Sequence, residues 1–130
     1  MLLAQGKTVT VPITYVKERR LDAIQISNLN SDLVPGYCNI PEPTPELCAT
    51  NIIDPKEIEA VLLPGSVFDK KGGRFGYGGG FYDRFVSAIP DATRIGLAYD
   101  LQVVEQLALQ PHDEILDYII SPSEIYKANR

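Results

Sequence analysis

The order of apolar runs and chain breakers predicts an α/β fold, three-layered around a mostly parallel, Rossmann-like open sheet, in a single domain of 130 residues. Three observations carry that prediction. Ala60–Pro64 (A-V-L-L-P) is a short, uninterrupted apolar run ending at Pro-Gly, the pattern of a central parallel strand buried on both faces. A glycine-rich loop then opens an amphipathic segment, Phe81 to Ile89, with Phe81, Tyr82, Phe85, Val86 and Ile89 on one side. Beyond it, strand and helix signals continue to alternate, as in parallel-sheet architectures.

From the start of the chain, Lys7 to Val16 (K-T-V-T-V-P-I-T-Y-V) is rich in β-branched residues and alternates, so it reads as a strand. Its Pro12 places it at an edge or a strand end. Asp22 to Ser27 is a second short strand. Pro35 to Pro45 carries four prolines, which fix φ and exclude helix or central strand, leaving an ordered, irregular crossing segment. After the Ala60–Pro64 strand and the glycine loop comes a helix from Phe81 to Ile89, ended by Pro90. Thr93 to Tyr99 is the next strand, Val103 to Leu109 a short helix, and Tyr118 to Ser121 a last strand.

Composition narrows the function classes. Hydrophobic content of 45% and charged content of 22% are ordinary for a soluble globular protein. A net charge of −5 argues against a nucleic-acid partner, whose phosphates would meet a negative surface. No apolar run approaches a membrane span, and the first residues lack a signal-peptide pattern. Cys38 and Cys48 are too few for a disulfide scaffold and are not spaced as C-x-x-C, so a reduced, cytoplasmic protein is expected. The single His112 excludes any site built on two histidines and reads as a surface or pocket-rim residue.

The chemistry concentrates in Arg74 to Arg84, R-F-G-Y-G-G-G-F-Y-D-R, with Gly76 and Gly78 to Gly80. Glycine tolerates positive φ and lets another group approach the backbone, and phosphate suits such a loop. Lys70, Lys71, Arg74 and Arg84 face only Asp69 and Asp83, which makes residues 66–84 net +2 in an acidic chain. Neither of two common phosphate motifs is present. No Gly-Lys-Ser or Gly-Lys-Thr occurs, and Phe81 stands where a dinucleotide fingerprint counted from Gly76 needs its third glycine.

Several side chains near this loop suit two roles each. Asp83 falls in the first helical turn, where it either favours the helix dipole or holds Mg²⁺ against bound phosphates. Asp113 lies in a stretch (101–125) with five acids and no Lys or Arg, as part of a solvated face or as a second metal ligand. Tyr77, Phe81 and Tyr82 serve as packing or as an aromatic wall for a flat heterocycle. Glu42, held in I-P-E-P, either caps a turn or accepts from a substrate N–H pair.

The segment L-L-P-G-S-V-F-D-K-K-G-G-R-F-G-Y-G-G-G-F-Y-D-R-F resembles the signature of the 5-formyltetrahydrofolate cyclo-ligase (methenyltetrahydrofolate synthetase) family. The similarity extends through I-G-L-A-Y, Gln102 and P-H-D-E-I-L-D-Y-I-I, and upstream through G-K-T-V-T-V-P and I-P-E-P. What the resemblance implies is an ATP- and Mg²⁺-dependent ring closure of a small-molecule folate. The formyl oxygen of 5-formyltetrahydrofolate attacks the γ-phosphorus of ATP, and N10 then closes the ring as phosphate leaves. It also implies site residues. Arg74, Phe75, Gly76, Tyr77, Gly78, Gly79, Gly80, Phe81 and Tyr82 would wrap ATP, with Arg74 and Tyr82 at the reacting groups. Glu42 and Tyr77 to Phe81 would border the folate, and Asp83 and Asp113 would hold Mg²⁺. Phe81 stands where many relatives carry tyrosine, and Gly79 where some carry lysine. Family members normally begin with a basic, ATP-contacting helix, so residues 1–130 are expected to match the C-terminal part. A nucleotide- or folate-binding relative without turnover is the alternative reading.

Overall fold

Alternating β-branched residues make Val9–Tyr15 (β1), which pairs antiparallel with Arg20–Ile26 (β2) through a hairpin whose Arg19 takes φ +50°. The computed structural model describes residues 2–130, which divide into two compact units, residues 2–57 and Ile58–Arg130. In the first unit Leu33–Pro35 (β3) and Pro41–Pro43 (β4) form a short hairpin from the proline-rich segment. Pairing there is confined to a two-stranded ribbon, as residues without ladder N–H groups require. Pro45–Thr50 (α1) starts with proline at its first position, where the lost N–H costs nothing. The Thr44 hydroxyl caps it by accepting from Leu47 N–H. Ile52–Ile53 (β5) adds to the other side of β2, and Ala23, Ile24 and Ile26 supply the buried side chains.

The second unit is built on a four-stranded sheet. Its strands are Ala60–Leu63 (β6), Thr93–Leu97 (β9), Tyr118–Ile120 (β11) and Ile125–Lys127 (β12), in the order β12-β11-β9-β6. Three smaller strands complete it: Val67–Asp69 (β7), Arg74–Phe75 (β8) and Val103–Val104 (β10), in the order β10-β7-β8. In the larger sheet β6, β9 and β11 run parallel and β12 antiparallel, so the fold is α/β with mixed sheets and few helices.

Register assigns the two faces. Val61, Leu63, Gly96, Ile119 and Tyr126 point one way, onto Phe68, Leu116 and the helix Phe81–Ser87 (α2), which contributes Tyr82, Phe85 and Val86. Leu62, Leu97 and Ile125 point the other way and stand 56%, 56% and 63% exposed.

Two expectations are corrected. The A-V-L-L run forms an edge strand of this sheet rather than a strand buried on both faces. An apolar run marks burial on at least one face and does not fix the strand's place in the order. Val103 to Leu109 is not a helix. The Gln102 side chain accepts from Tyr99 N–H and caps a one-turn 3-10 segment, Asp100–Gln102. Val103 and Val104 then pair with Phe68 and Asp69. The Phe81 helix stops at Ser87, where i→i+3 bonds from Ala88 and Ile89 tighten the end ahead of Pro90.

Candidate functional site

The local sequence builds the site as a strand, a pinned turn, a glycine run and a helix. Asp69, at the end of β7 and 2% exposed, accepts N–H bonds from Lys71 (2.9 Å), Gly73 (2.7 Å) and Leu107 (2.9 Å). Gly72 takes φ +91° in that turn, and its carbonyl accepts from Leu116 N–H at 2.8 Å. The turn delivers Arg74 into β8 with its guanidinium directed inward. Nη1 donates to the Pro64 carbonyl at 2.6 Å and Nη2 to Asp83 Oδ1 at 3.3 Å, while the side chain is 4% exposed. Its Nε has no partner among the described residues.

The glycine run is left-handed throughout. Gly78, Gly79 and Gly80 have φ of +91°, +74° and +66°, which residues with a Cβ adopt at a cost. A Cβ on Gly78 would meet nothing within 4 Å, whereas one on Gly79 would lie 2.8 Å from the Phe81 ring. The loop is therefore open at Gly78 and closed over by Phe81 next to it. Gly80 leads into α2, and the Arg84 guanidinium lies 5.2 Å from the Phe81 ring centroid. Tyr77 is exposed, with its hydroxyl donating to the Gly65 carbonyl at 3.3 Å. Gln102 Nε2 donates to the same carbonyl and to that of Ser66, and so fixes the bend after β6.

Asp83, in the first turn of α2, is the hub. Its Oδ1 accepts from Arg74 Nη2 and from Glu114 N–H, both at 3.3 Å. Its Oδ2 has no hydrogen bond among the described residues. Tyr82 packs on the core with Arg74 5.8 Å from its ring centroid. Burial pushes its phenol above the usual value of 10.0 and the Arg74 charge opposes this, so the hydroxyl keeps its proton at neutral pH.

A cleft of about 470 Å³ opens beside the start of the helix, walled by Gly79, Gly80, Asp83, Arg84, Ser87, His112 and Glu114. It gathers two of the three consecutive glycines with Asp83. His112 lies on its wall, as a rim residue should. Asp113 does not line the cleft. Its Oδ2 accepts from Gln110 N–H at 2.8 Å, and His112 Nε2 stands 3.5 Å from its Oδ1. Phe75 is 38% exposed on β8, and Gly76 sits over the Arg74 guanidinium. Glu42 belongs to the first unit, where its Oε2 accepts from Tyr37 N–H at 3.4 Å and closes the β3–β4 hairpin around Gly36.

The sequence reading missed Glu114 and Ser87 as cleft residues, and it missed the turn-pinning role of Asp69. It also passed over Arg94, which is 2% exposed. A signal for Arg94 exists: a cation between Thr93 and Ile95 in a strand sits at a core-facing step. The acids it bonds lie about twenty residues away, with no local mark. Among the described residues no three His, Cys, Asp or Glu side chains cluster as a protein-only metal site would require. No helix among them is long and apolar enough to cross a membrane.

Comparison with known proteins gives a consistent outcome. The 5-formyltetrahydrofolate cyclo-ligase family model matches residues 1–122. The mitochondrial 5-formyltetrahydrofolate cyclo-ligase of Arabidopsis thaliana is 30% identical, over 92% of this chain and 48% of its own length. The enzyme of the same name from Escherichia coli K12 is 31% identical over 94% and 67%. Among solved structures, the 5,10-methenyltetrahydrofolate synthetase of Aquifex aeolicus superposes with a TM-score of 0.78 at 24% identity, over 99% of this chain and 62% of that one. The Mycoplasma pneumoniae synthetase superposes with 0.66 at 26% identity, over 92% and 58%. The chain thus spans roughly half to two thirds of the length of these relatives.

Proposed function

The chain belongs to the 5-formyltetrahydrofolate cyclo-ligase family, and on that premise we propose that it serves the ATP-dependent closure of 5-formyltetrahydrofolate to 5,10-methenyltetrahydrofolate, with release of ADP and phosphate. The observation that carries this reading is the run of three left-handed glycines opening onto a cleft walled by Asp83 and Arg84. In this reading the formyl oxygen attacks the γ-phosphorus and ADP departs. The N10 lone pair adds to the activated carbon, phosphate leaves with the former formyl oxygen, and the N10 proton is lost.

The protein contributes position and charge more than covalent chemistry. Gly78 to Gly80 admit phosphate oxygens to the backbone, flanked by Arg84 and by the Arg74–Phe75–Gly76–Tyr77 arm. Arg74, buried on the Pro64 carbonyl and Asp83, acts on the phosphates through Asp83. Phe81 and Tyr77 border the pterin ring, and Tyr82, a neutral phenol, stands as a donor. Asp83 Oδ2, without a hydrogen bond among the described residues, fits Mg²⁺ in the mode that uses one or two carboxylates plus phosphate oxygens, while Asp113, the second acid the resemblance implies, stands outside the cleft with its Oδ2 on the Gln110 N–H. Bound there, Mg²⁺ supplies neutralisation of phosphate charge.

Parallel β6, β9 and β11 with α2 packed on one face support the three-layer, Rossmann-like reading of the fold. Free Cys38 and Cys48 fit a reduced cytoplasmic setting. The folate is the only partner this reading needs, and nucleic acid has no part in it.

The test is the absorbance of 5,10-methenyltetrahydrofolate formed from 5-formyltetrahydrofolate and Mg-ATP, with ADP measured in parallel. Both products should appear in equal amounts. Mg-ATP or folate binding without product would establish the non-catalytic binding relative instead, and no binding of either would overturn both readings.

A further inference from the structure

Arg94 is a cation placed under a helix. It occupies the face of β9 that packs on α2 and is 2% exposed, so it must be paired or be costly. Both terminal nitrogens of its fork are used, while Nε has no partner among the described residues. Nη1 donates to Glu114 Oε2 (3.1 Å) and to the Ile115 carbonyl (3.0 Å), and Nη2 to the Val86 carbonyl in the last turn of α2 (2.9 Å). Asp117 accepts from the Arg94 N–H at 2.8 Å and donates its own N–H to the Arg94 carbonyl at 2.9 Å. The Arg94 side chain therefore ties α2 and residues 114–115 to β9, and its backbone adds Asp117.

The tied segment has one further task. Its Glu114 N–H is the donor that meets Asp83 Oδ1, the oxygen that Arg74 also holds. Two buried arginines thus set one carboxylate, Arg74 directly and Arg94 through the Glu114 side chain and the Ile115 carbonyl, which hold the backbone that carries the Glu114 N–H. Both bonds fall on Oδ1, and Oδ2 has no hydrogen bond among the described residues. We propose that Arg94 is a positioning residue for Asp83, holding the Glu114 N–H where it orients that carboxylate toward a nucleotide-bound divalent cation. This rests on the nucleotide reading of the cleft. Partners behind a metal-ligating carboxylate commonly govern affinity by tenfold or more.

The experiment is calorimetric titration of Mg-ATP into the wild-type chain, Arg94→Lys, Asp83→Asn and the double variant, each first shown to be folded by circular dichroism. Arg94→Lys should weaken binding about tenfold. In the Asp83→Asn background the same change should have no further effect, because its route has been removed. A lowered melting temperature with unchanged Mg-ATP affinity would reduce Arg94 to a structural role and overturn the inference. An equal loss in both backgrounds would overturn it as well. If Arg94→Lys does not fold, Glu114→Gln loosens the same guanidinium and is judged by the same two criteria. Failure of the wild-type chain to bind Mg-ATP would be a different result, overturning the nucleotide reading and this inference with it.

Discussion

Asp69 offers the sharpest test of how the phosphate-side loop is held. Its carboxylate accepts three backbone N–H groups, two on Oδ1 from Lys71 and Gly73 and one on Oδ2 from Leu107. An asparagine of the same shape can supply only one acceptor oxygen. With that oxygen on the Lys71 and Gly73 side, the new amide faces the Leu107 N–H, donor to donor. Flipped, it faces two donors. The first arrangement orphans one N–H, which costs about 1–3 kcal/mol, and weakens two charge-assisted bonds into neutral ones. Asp69→Asn should therefore lose about 2–3 kcal/mol, and Asp69→Ala, which releases all three donors, about 4 kcal/mol.

Urea unfolding followed by circular dichroism reads both values, and a melting curve should fall by roughly 4 °C per kcal/mol for a domain of this size. Hydrogen exchange gives a second, local readout, because the Gly73 amide should lose protection ahead of the sheet. Gly73 has no room for a side chain, since its Cβ would fall against the Asp69 carboxylate, so no neighbour can fill the gap. An Asp69→Asn variant within 0.5 kcal/mol of wild type, with Gly73 still protected, would refute the pinned turn, taking that figure as the scatter of neutral surface changes.

Other outcomes follow from single positions. Gly96→Ala places a Cβ 2.7 Å from Phe68 Cε1 and 2.9 Å from Leu116 Cδ2 in the closed core, so it should cost about 1–3 kcal/mol in urea unfolding, and Phe68→Leu beside it should recover part of the loss. Gly78→Val meets no atom within 4 Å but forces a β-branched residue to φ +91°, so folding should survive with a modest loss while Mg-ATP affinity collapses in calorimetry. Normal affinity there would remove the glycine run from the phosphate site. Arg84→Met should weaken Mg-ATP binding in a stably folded chain, whereas Arg74→Met should unfold first, because Arg74 is the buried partner of Asp83. Burial disfavours the Asp117 carboxylate, but bonds from Arg130 and the Arg94 N–H outweigh it and hold its pKa below 3.8. Its stabilising effect is thus complete above that value and lost as pH falls through the lower folded pKa, and Asp117→Asn should flatten the acid limb of a stability-pH curve.

Much of the fold was legible because local patterns forced it. Val9–Tyr15, Arg20–Ile26, Thr93–Leu97 and Tyr118–Ile120 all fall within or beside their β-branched runs, and α2 begins where the glycines end. What failed depended on partners remote in sequence. Val103–Leu109 carries a helical spacing of apolar residues, yet Val103 and Val104 find β7 some thirty-five residues earlier, and the Leu107 N–H is taken by Asp69. The A-V-L-L run was legible as a strand and not as an edge, since strand order is decided by what pairs on each side. At the site, the glycine loop and Asp83 stand out in the sequence, and Gly79, Gly80 and Asp83 wall one cleft. Glu114 could not, because its importance comes from a backbone N–H that any residue type carries.

Charge shows the same gap between counting and placing. Around the loop the sequence offers four cations against two acids, a positive field ready for phosphate. The fold spends most of it. Arg74 is turned onto the Pro64 carbonyl and Asp83, and Lys70 pairs with Glu105 at 2.5 Å. Asp69 accepts three backbone donors and pairs with none of these cations. Arg84 is the cation on the cleft wall. A phosphate arriving there meets one exposed guanidinium and backbone N–H groups that glycine leaves accessible. Specific binding in an acidic chain then depends on geometry at short range rather than on a broad positive patch, whose effect salt would screen beyond about 10 Å.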